Sequence, residues 1–144
     1  MFESLAAVGA QLMVKTLAGL ADGSVEPVEQ DHRIATLAPI LTRQDGCMDF
    51  SRGAQDLVNR WRGFQPWPGL FTTLRGRKLI AHRVAAAAGA GTPGVLLVEG
   101  ERLLVGCREG LLELLELQME GKKRMTAREF LRGFQLKTGE QVGA

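Results

Sequence analysis

A helical run of apolar side chains that ends in Pro66-Trp67-Pro68-Gly69 divides this 144-residue chain into stretches of different periodicity. Before it, Ala54, Leu57, Val58, Trp61 and Phe64 follow an i, i+3, i+4, i+7, i+10 pattern, one face of a helix, with Ser51 placed as its N-cap. Pro66 stops that helix, because a proline ring has no N–H to donate and a fixed φ. After it the apolar residues come in short runs: 70–74, 79–87, 95–98, 103–107 and 111–117. Gly76, Gly91, Pro93, Gly94, Gly100 and Gly110 punctuate them. That rhythm predicts a mainly β unit with flanking helices, a small five-stranded barrel or sandwich. One run argues back, since Leu111-Leu112-Glu113-Leu114-Leu115-Glu116-Leu117 has a near-helical period and helix-favouring residues. Its short, glycine-bounded length favours a strand.

The two ends read differently. Leu5, Val8, Leu12, Leu17 and Leu20 recur near helical spacing, with Gly19, Asp22 and Gly23 marking the end of that opening helix. Residues 24–40, with Pro27 and Pro39, form a polar, irregular connector, and Thr42-Arg43-Gln44-Asp45-Gly46 is a charged turn into the next unit. A last helix starts at Thr126, its N-cap, with Glu129 in the capping-box position and Gly133 at its end. The expected organisation is therefore residues 1–40 as helix and connector, 41–136 as the β unit, and 137–144 as a disordered tail.

An apolar fraction of 45% supports a packed core. No run reaches the ~18 uninterrupted apolar residues of a membrane span, so the chain reads as soluble and cytoplasmic. Cys47 and Cys107 have no partner at metal-ligand spacing, which argues against a zinc site or a disulfide framework. The net charge of +2 conceals an asymmetry: residues 1–40 hold two basic and five acidic side chains, and the remainder sixteen and eleven. No Asp or Glu falls between Asp56 and Glu99, an interval that contains Arg60, Arg62, Arg75, Arg77, Lys78 and Arg83. A one-signed run of this kind suits a phosphate-bearing partner, although a merely solvated basic surface gives the same composition.

Several motifs in order resemble one family. Asn59 and Arg62 on the helix, Pro66-Trp67-Pro68-Gly69, Pro93-Gly94, and Gln118 with Gly121-Lys122-Lys123 and Met125 resemble the C-terminal domain of methionyl-tRNA formyltransferases. So do Ala35-Thr36, Ala38-Pro39, Asp45-Gly46 and Asp49-Phe50, while Leu5-Ala6-Ala7-Val8-Gly9-Ala10 resembles the last helix of that family's catalytic domain. The resemblance implies an OB-like five-stranded barrel, with 111–117 as a strand, preceded by a helix and connector. It also implies a role in formylating initiator Met-tRNA from 10-formyltetrahydrofolate. The family's catalytic Asn, His and Asp set has no counterpart among the motifs here, and neither His32 nor His82 stands with such partners. The chain alone is thus expected to be inactive, with no catalytic residue, bound cofactor or metal of its own and with a missing N-terminal catalytic domain as its partner.

Candidate tRNA contacts are Arg43, Arg60, Arg62, Arg75, Arg77, Lys78, Lys122, Lys123 and Arg124, cations able to track a phosphate backbone without reading bases. Lys122-Lys123-Arg124 is the clearest cluster, while Ile40 stands where the family's connector carries lysine, leaving Arg43 as the main cation there. Trp61 and Phe64 belong to the apolar helix face and are expected in the core. Trp67, between two prolines, is expected to plug the barrel end or support a domain interface. The alternatives are the equivalent domain of a sugar N-formyltransferase or formyltetrahydrofolate dehydrogenase, and a stand-alone OB-type RNA-binding or protein-interaction module. G-x-S-x-G, P-loop and paired zinc-ligand patterns are absent.

Overall fold

The computed structural model describes residues 2–143. The chain falls into two units divided between Pro39 and Ile40.

In the first unit α1 (Phe2–Asp22) ends where Gly23 adopts φ 77°. Val25 N–H donates to the Gly19 carbonyl at 3.0 Å, and a Cβ at Gly19 would lie 2.6 Å from Val25 Cγ2, so a larger residue there would have to displace the Val25 side chain. The apolar positions Leu5, Val8, Leu12, Leu17 and Leu20 remain 44–62% exposed. At 21 residues and a mean hydropathy of 1.4 in its most apolar window, α1 is long and apolar enough to cross a membrane, a property it shares with core helices. After it, Asp31 caps a turn by accepting from Arg33 N–H at 3.0 Å and pairing with its guanidinium at 2.7 Å.

The second unit opens with a 3₁₀ turn (Arg43–Gly46), in which Asp45 Oδ2 accepts from both the N–H and the hydroxyl of Thr42 at 2.6 and 2.7 Å. Helix α2 (Ala54–Gly63) follows. The strands are β1 (Leu70–Leu74), β2 (Arg77–Ala87), β3 (Leu96–Glu99), β4 (Arg102–Gly106), β5 (Leu111–Met119) and the short β6 (Met125–Thr126), and α3 (Ala127–Phe134) closes the order. All pairings are antiparallel, in the order β1-β2-β5-β4-β3 with β6 added to β5. The expected mainly β architecture with flanking helices is thus present, with six strands rather than five.

The core is built mostly of leucine. Leu57 of α2, Leu70, Leu79, Leu103, Leu112, Leu117 and Phe130 of α3 are each at most 1% exposed. Burying one such side chain contributes roughly 1.5–3 kcal/mol relative to leaving it in water. Trp61 and Phe64 pack against this core, as their spacing implied.

The near-helical period of 111–117 has a structural cause. Register slips on both sides of the Arg83/Glu116 pair, with Ala81 facing Leu117 and Val84 facing Leu114. Leu115 is therefore the extra residue on β5, and His82 the extra residue on β2. The buried positions on β5 jump from Leu114 to Leu117, a step of three that imitates a helix. The bulge also leaves the His82 carbonyl out of the ladder, where it accepts from Trp61 Nε1–H at 3.2 Å.

Three expectations are corrected. Ser51 is not the N-cap of α2: its hydroxyl is committed to Asp49 Oδ1 at 2.6 Å, Gly53 occupies the cap, and Ala54 N–H is satisfied by the Glu109 carbonyl at 2.8 Å. Helix α3 passes Gly133 and ends at Phe134, with Gln135 left-handed at φ 47°. The tail expected to be disordered is an ordered strap over residues 137–143. Leu96 N–H donates to the Glu140 carbonyl at 2.8 Å, Gly139 N–H to the Leu96 carbonyl at 2.9 Å, Val142 N–H to the Gly94 carbonyl at 2.8 Å and Gly143 N–H to the Thr73 carbonyl at 2.9 Å. Gln141 bridges Val95 beside β3, and Val142 bridges Leu74 of β1, so the strap joins the two edge strands and closes the barrel. Closure gives the open edges their missing hydrogen-bond partners and buries Leu136 and Val142, each under 10% exposed.

Candidate nucleic-acid interface

The nine candidate cations are not equivalent, because the fold uses several of them internally. Arg75 sits in the β1–β2 turn at φ 51°. Its guanidinium forms a bidentate pair with Glu140 at 2.8 and 2.9 Å and also donates to the Phe134 carbonyl at 3.2 Å. That pair holds the Glu140 carboxyl below the usual glutamate range. Arg77 donates to the Glu120 carbonyl at 2.6 Å. Arg124 donates through Nε to Glu116 Oε2 at 2.7 Å, and Arg83 pairs with the other oxygen of Glu116 at 3.3 Å.

Arg43, Arg62, Lys122 and Lys123 are exposed, and among the described residues their side chains have no hydrogen-bond or ion-pair partner. Arg60 and Lys78 are intermediate. Arg60 lies 4.7 Å from the Phe64 ring centroid and donates to the Asp45 carbonyl at 2.9 Å; Lys78 Nζ stands 3.8 Å over the Phe71 ring. Both geometries hold the cation on an aromatic face. Lys78 has no carboxylate partner among the described residues, while the nearby Asp45 carboxyl is held below its usual range first by the Thr42 hydrogen bonds and further by Arg60.

Two structural links join Arg60, Lys78 and the Lys122–Lys123 turn into one region. Gly46, next to Asp45, lies against the Phe71 ring, so that a Cβ there would come within 3.3 Å of it and 2.5 Å of the Gly69 carbonyl oxygen. The chain of contacts Arg60, Asp45, Gly46, Phe71, Lys78 therefore connects the end of α2 to the outer face of β1 and β2. From Lys78 the path continues to the β5–β6 turn, since Glu120 N–H donates to the Lys78 carbonyl at 2.9 Å. Gln118 then fixes that turn: its Nε2 donates to the Lys122 carbonyl at 2.8 Å while its Oε1 meets His82 Nε2 at 2.8 Å. Gly121 at φ 73° lets the turn reverse with its two lysines outward.

Sequence reasoning missed Gln118 as the residue that holds the basic turn, and Glu116 as the carboxylate that offsets Arg83 and Arg124. Glu116 lies outside the acid-free interval along the chain and enters it only through the cross-strand pair with Arg83. Trp67 does not plug the barrel; it is 52% exposed. The depression at the opposite end of α2, about 250 Å³, is lined by Gly53, Gln55, Asp56, Ala86, Glu109 and Gly110, and its two carboxylates give it the wrong sign for phosphate. Among the described residues no group of three His, Cys, Asp or Glu side chains could hold a metal ion. Cys107 is buried, and burial raises its thiol pKa to about 11.

The family model described as formyl transferase, C-terminal domain, matches residues 40–135. Among curated proteins, the methionyl-tRNA formyltransferase of Acidobacterium capsulatum is 52% identical over 100% of this chain and 47% of its own length. That of Koribacter versatilis is 50% identical over 96% of this chain and 45% of its own. The chain thus spans about half the length of the curated relatives it matches. Among solved structures, HypX from Aquifex aeolicus in complex with tetrahydrofolic acid is similar in fold, with a TM-score of 0.55 at 17% identity, over 91% of this chain and 24% of that one.

Proposed function

Because the chain belongs to the formyl transferase C-terminal domain family, we propose that it is the tRNA-gripping part of a methionyl-tRNA formyltransferase. The observation that carries this reading is the match along the whole chain, α1 included, to relatives of that name. In this reading Arg43, Arg62, Lys122 and Lys123 contact phosphates directly. Arg60 and Lys78 add charge between them, and Arg75, Arg77 and Arg124 hold the frame. Such contacts fix the register of a tRNA without reading its sequence. Formyl transfer, with 10-formyltetrahydrofolate as donor and initiator Met-tRNA as acceptor in the cytoplasm, belongs to the whole enzyme. The catalytic groups and the folate site lie in the half of the relatives' length that this chain does not match.

The exposed leucines and valines of α1 support the same reading. A face of this kind is stable in water only when another surface covers it, and here the cover is the catalytic half.

Fluorescence anisotropy with an initiator tRNA transcript tests the assignment. Saturable binding whose logarithm falls against log salt with a slope of about −3 to −5, as four to six phosphate contacts require, is the expected result. Absence of binding, or a slope near zero, overturns it.

A further inference from the structure

Trp67 is the most exposed large apolar side chain among the described residues of 41–143, at 52%. The other tryptophan, Trp61, packs on the core and donates its indole N–H to the His82 carbonyl. A half-exposed indole forgoes much of its hydrophobic stabilisation, and its setting is rigid. Pro66 and Pro68 restrict the backbone on both sides, and Gly69 N–H donates to the Phe64 carbonyl at 2.9 Å, closing the loop that carries the ring. A ring displayed this way loses little conformational freedom on meeting a ligand.

The neighbours of this loop indicate what the ring meets. Arg60 stacks on Phe64 at the base of the loop, and Arg62 is exposed with no partner among the described residues. Gln65, beside Pro66, is exposed as well. Along the chain the Pro-Trp-Pro loop directly follows Arg60 and Arg62, in a stretch from 57 to 98 without a carboxylate. An aromatic face beside cations is the arrangement that takes a nucleobase on the ring and its phosphate on the charge.

We propose that Trp67 is a stacking platform for an unpaired base or an exposed terminal base pair of the bound RNA, with the unpartnered Arg62 receiving the adjoining phosphate. This rests on the tRNA-binding reading above and adds a contact that charge alone does not supply. Stacking on a π-face tolerates any base, so the platform adds affinity rather than sequence preference.

The test uses the full chain and an initiator tRNA transcript. Trp67→Ala is expected to weaken binding about 5- to 100-fold without changing the salt slope, and Trp67→Phe to retain most of the affinity. Intrinsic tryptophan fluorescence should be quenched by tRNA in the parent chain and not in Trp67→Phe, where only the core-packed Trp61 reports. Parent-like affinity of Trp67→Ala, with quenching persisting in Trp67→Phe, overturns the proposal and leaves the indole as a protein-facing surface. Failure of the parent chain itself to bind overturns the tRNA reading and the platform together. Thermal melts of both variants control for folding, which a half-exposed side chain should affect little.

Discussion

Arg75 and Glu140 are 65 positions apart and meet in a two-point ion pair, Nε to Oε2 at 2.8 Å and Nη2 to Oε1 at 2.9 Å. The pair fastens the strap to the β1–β2 turn, and Glu140 Oε1 also accepts from Lys137 N–H at 2.8 Å, so one carboxylate organises both the strap and its anchor. An arginine that is a phosphate candidate by composition is thereby a closure for the barrel.

The strap's apolar residue should matter more than its ion pair. Half-exposed pairs contribute little net stability, whereas Val142→Ala removes two buried methyl groups and leaves a gap, a loss of about 2 kcal/mol. Urea denaturation should show Val142→Ala clearly less stable than Glu140→Gln. Removal of residues 137–144 should be more harmful than either, because it also unpairs the edges of β1 and β3. The reverse order of the two point variants would place the closure in electrostatics.

Stability should fall in acid through the paired carboxylates. Glu140 is held below its ordinary pKa of 4.5, first by the Arg75 hydrogen bonds, and Glu113 likewise, first by Arg102. A depressed folded pKa means that the contribution is complete above about 4.5 and is lost as pH drops through the lower folded values. The urea midpoint should therefore be flat from pH 7 to 5 and decline below 4.5, and Glu140→Gln should make that decline shallower. An equally steep decline in the variant would remove Glu140 from the account.

Local patterns were legible in the sequence, and long-range pairings were not. The Thr126–Glu129 capping box was readable because its partners are three residues apart: Thr126 N–H donates to Glu129 Oε2 at 2.8 Å, and Glu129 N–H to Thr126 Oγ1 at 3.3 Å. Ser51 misled for a local reason, since Asp49 competes for its hydroxyl. The strap was invisible because it is short, polar and glycine-containing, and its order comes from backbone partners at Thr73, Gly94 and Leu96. The candidate site was legible as a charge run, but which cations are spent internally depends on distant partners: Glu140 of the strap for Arg75, the Glu120 carbonyl for Arg77, and Glu116, which the bulged register also brings to Arg83, for Arg124.

The two cysteines should separate chemically. Cys107 is 2% exposed with a thiol pushed up to about 11, while Cys47 lies partly open in the chain before α2. The reactive species is the thiolate, so native protein near pH 8 should take up one equivalent of iodoacetamide, at Cys47, and two only after denaturation. Peptide mass mapping decides it; native labelling of Cys107 would mean that the β4–β5 connection opens readily.

The division of the cations into free and committed groups predicts their separate effects on RNA binding. Each phosphate contact contributes about −0.7 to −0.9 to the log–log salt slope. Replacing both Lys122 and Lys123 by alanine should thus make the slope shallower by about 1.4–1.8 and weaken binding most at low salt. Arg124→Ala should change the slope less, because its guanidinium is already paired with Glu116. Arg75→Ala should lower stability while leaving the slope as it was, since its charge is spent on Glu140. Gln118→Leu is the most discriminating variant: it removes no charge, yet it releases the turn that its Nε2 holds at the Lys122 carbonyl. A loss of affinity in Gln118→Leu with an unchanged slope would mean that the turn's geometry, and not its charge alone, seats the phosphates. Parent-like binding would mean that two mobile lysines suffice.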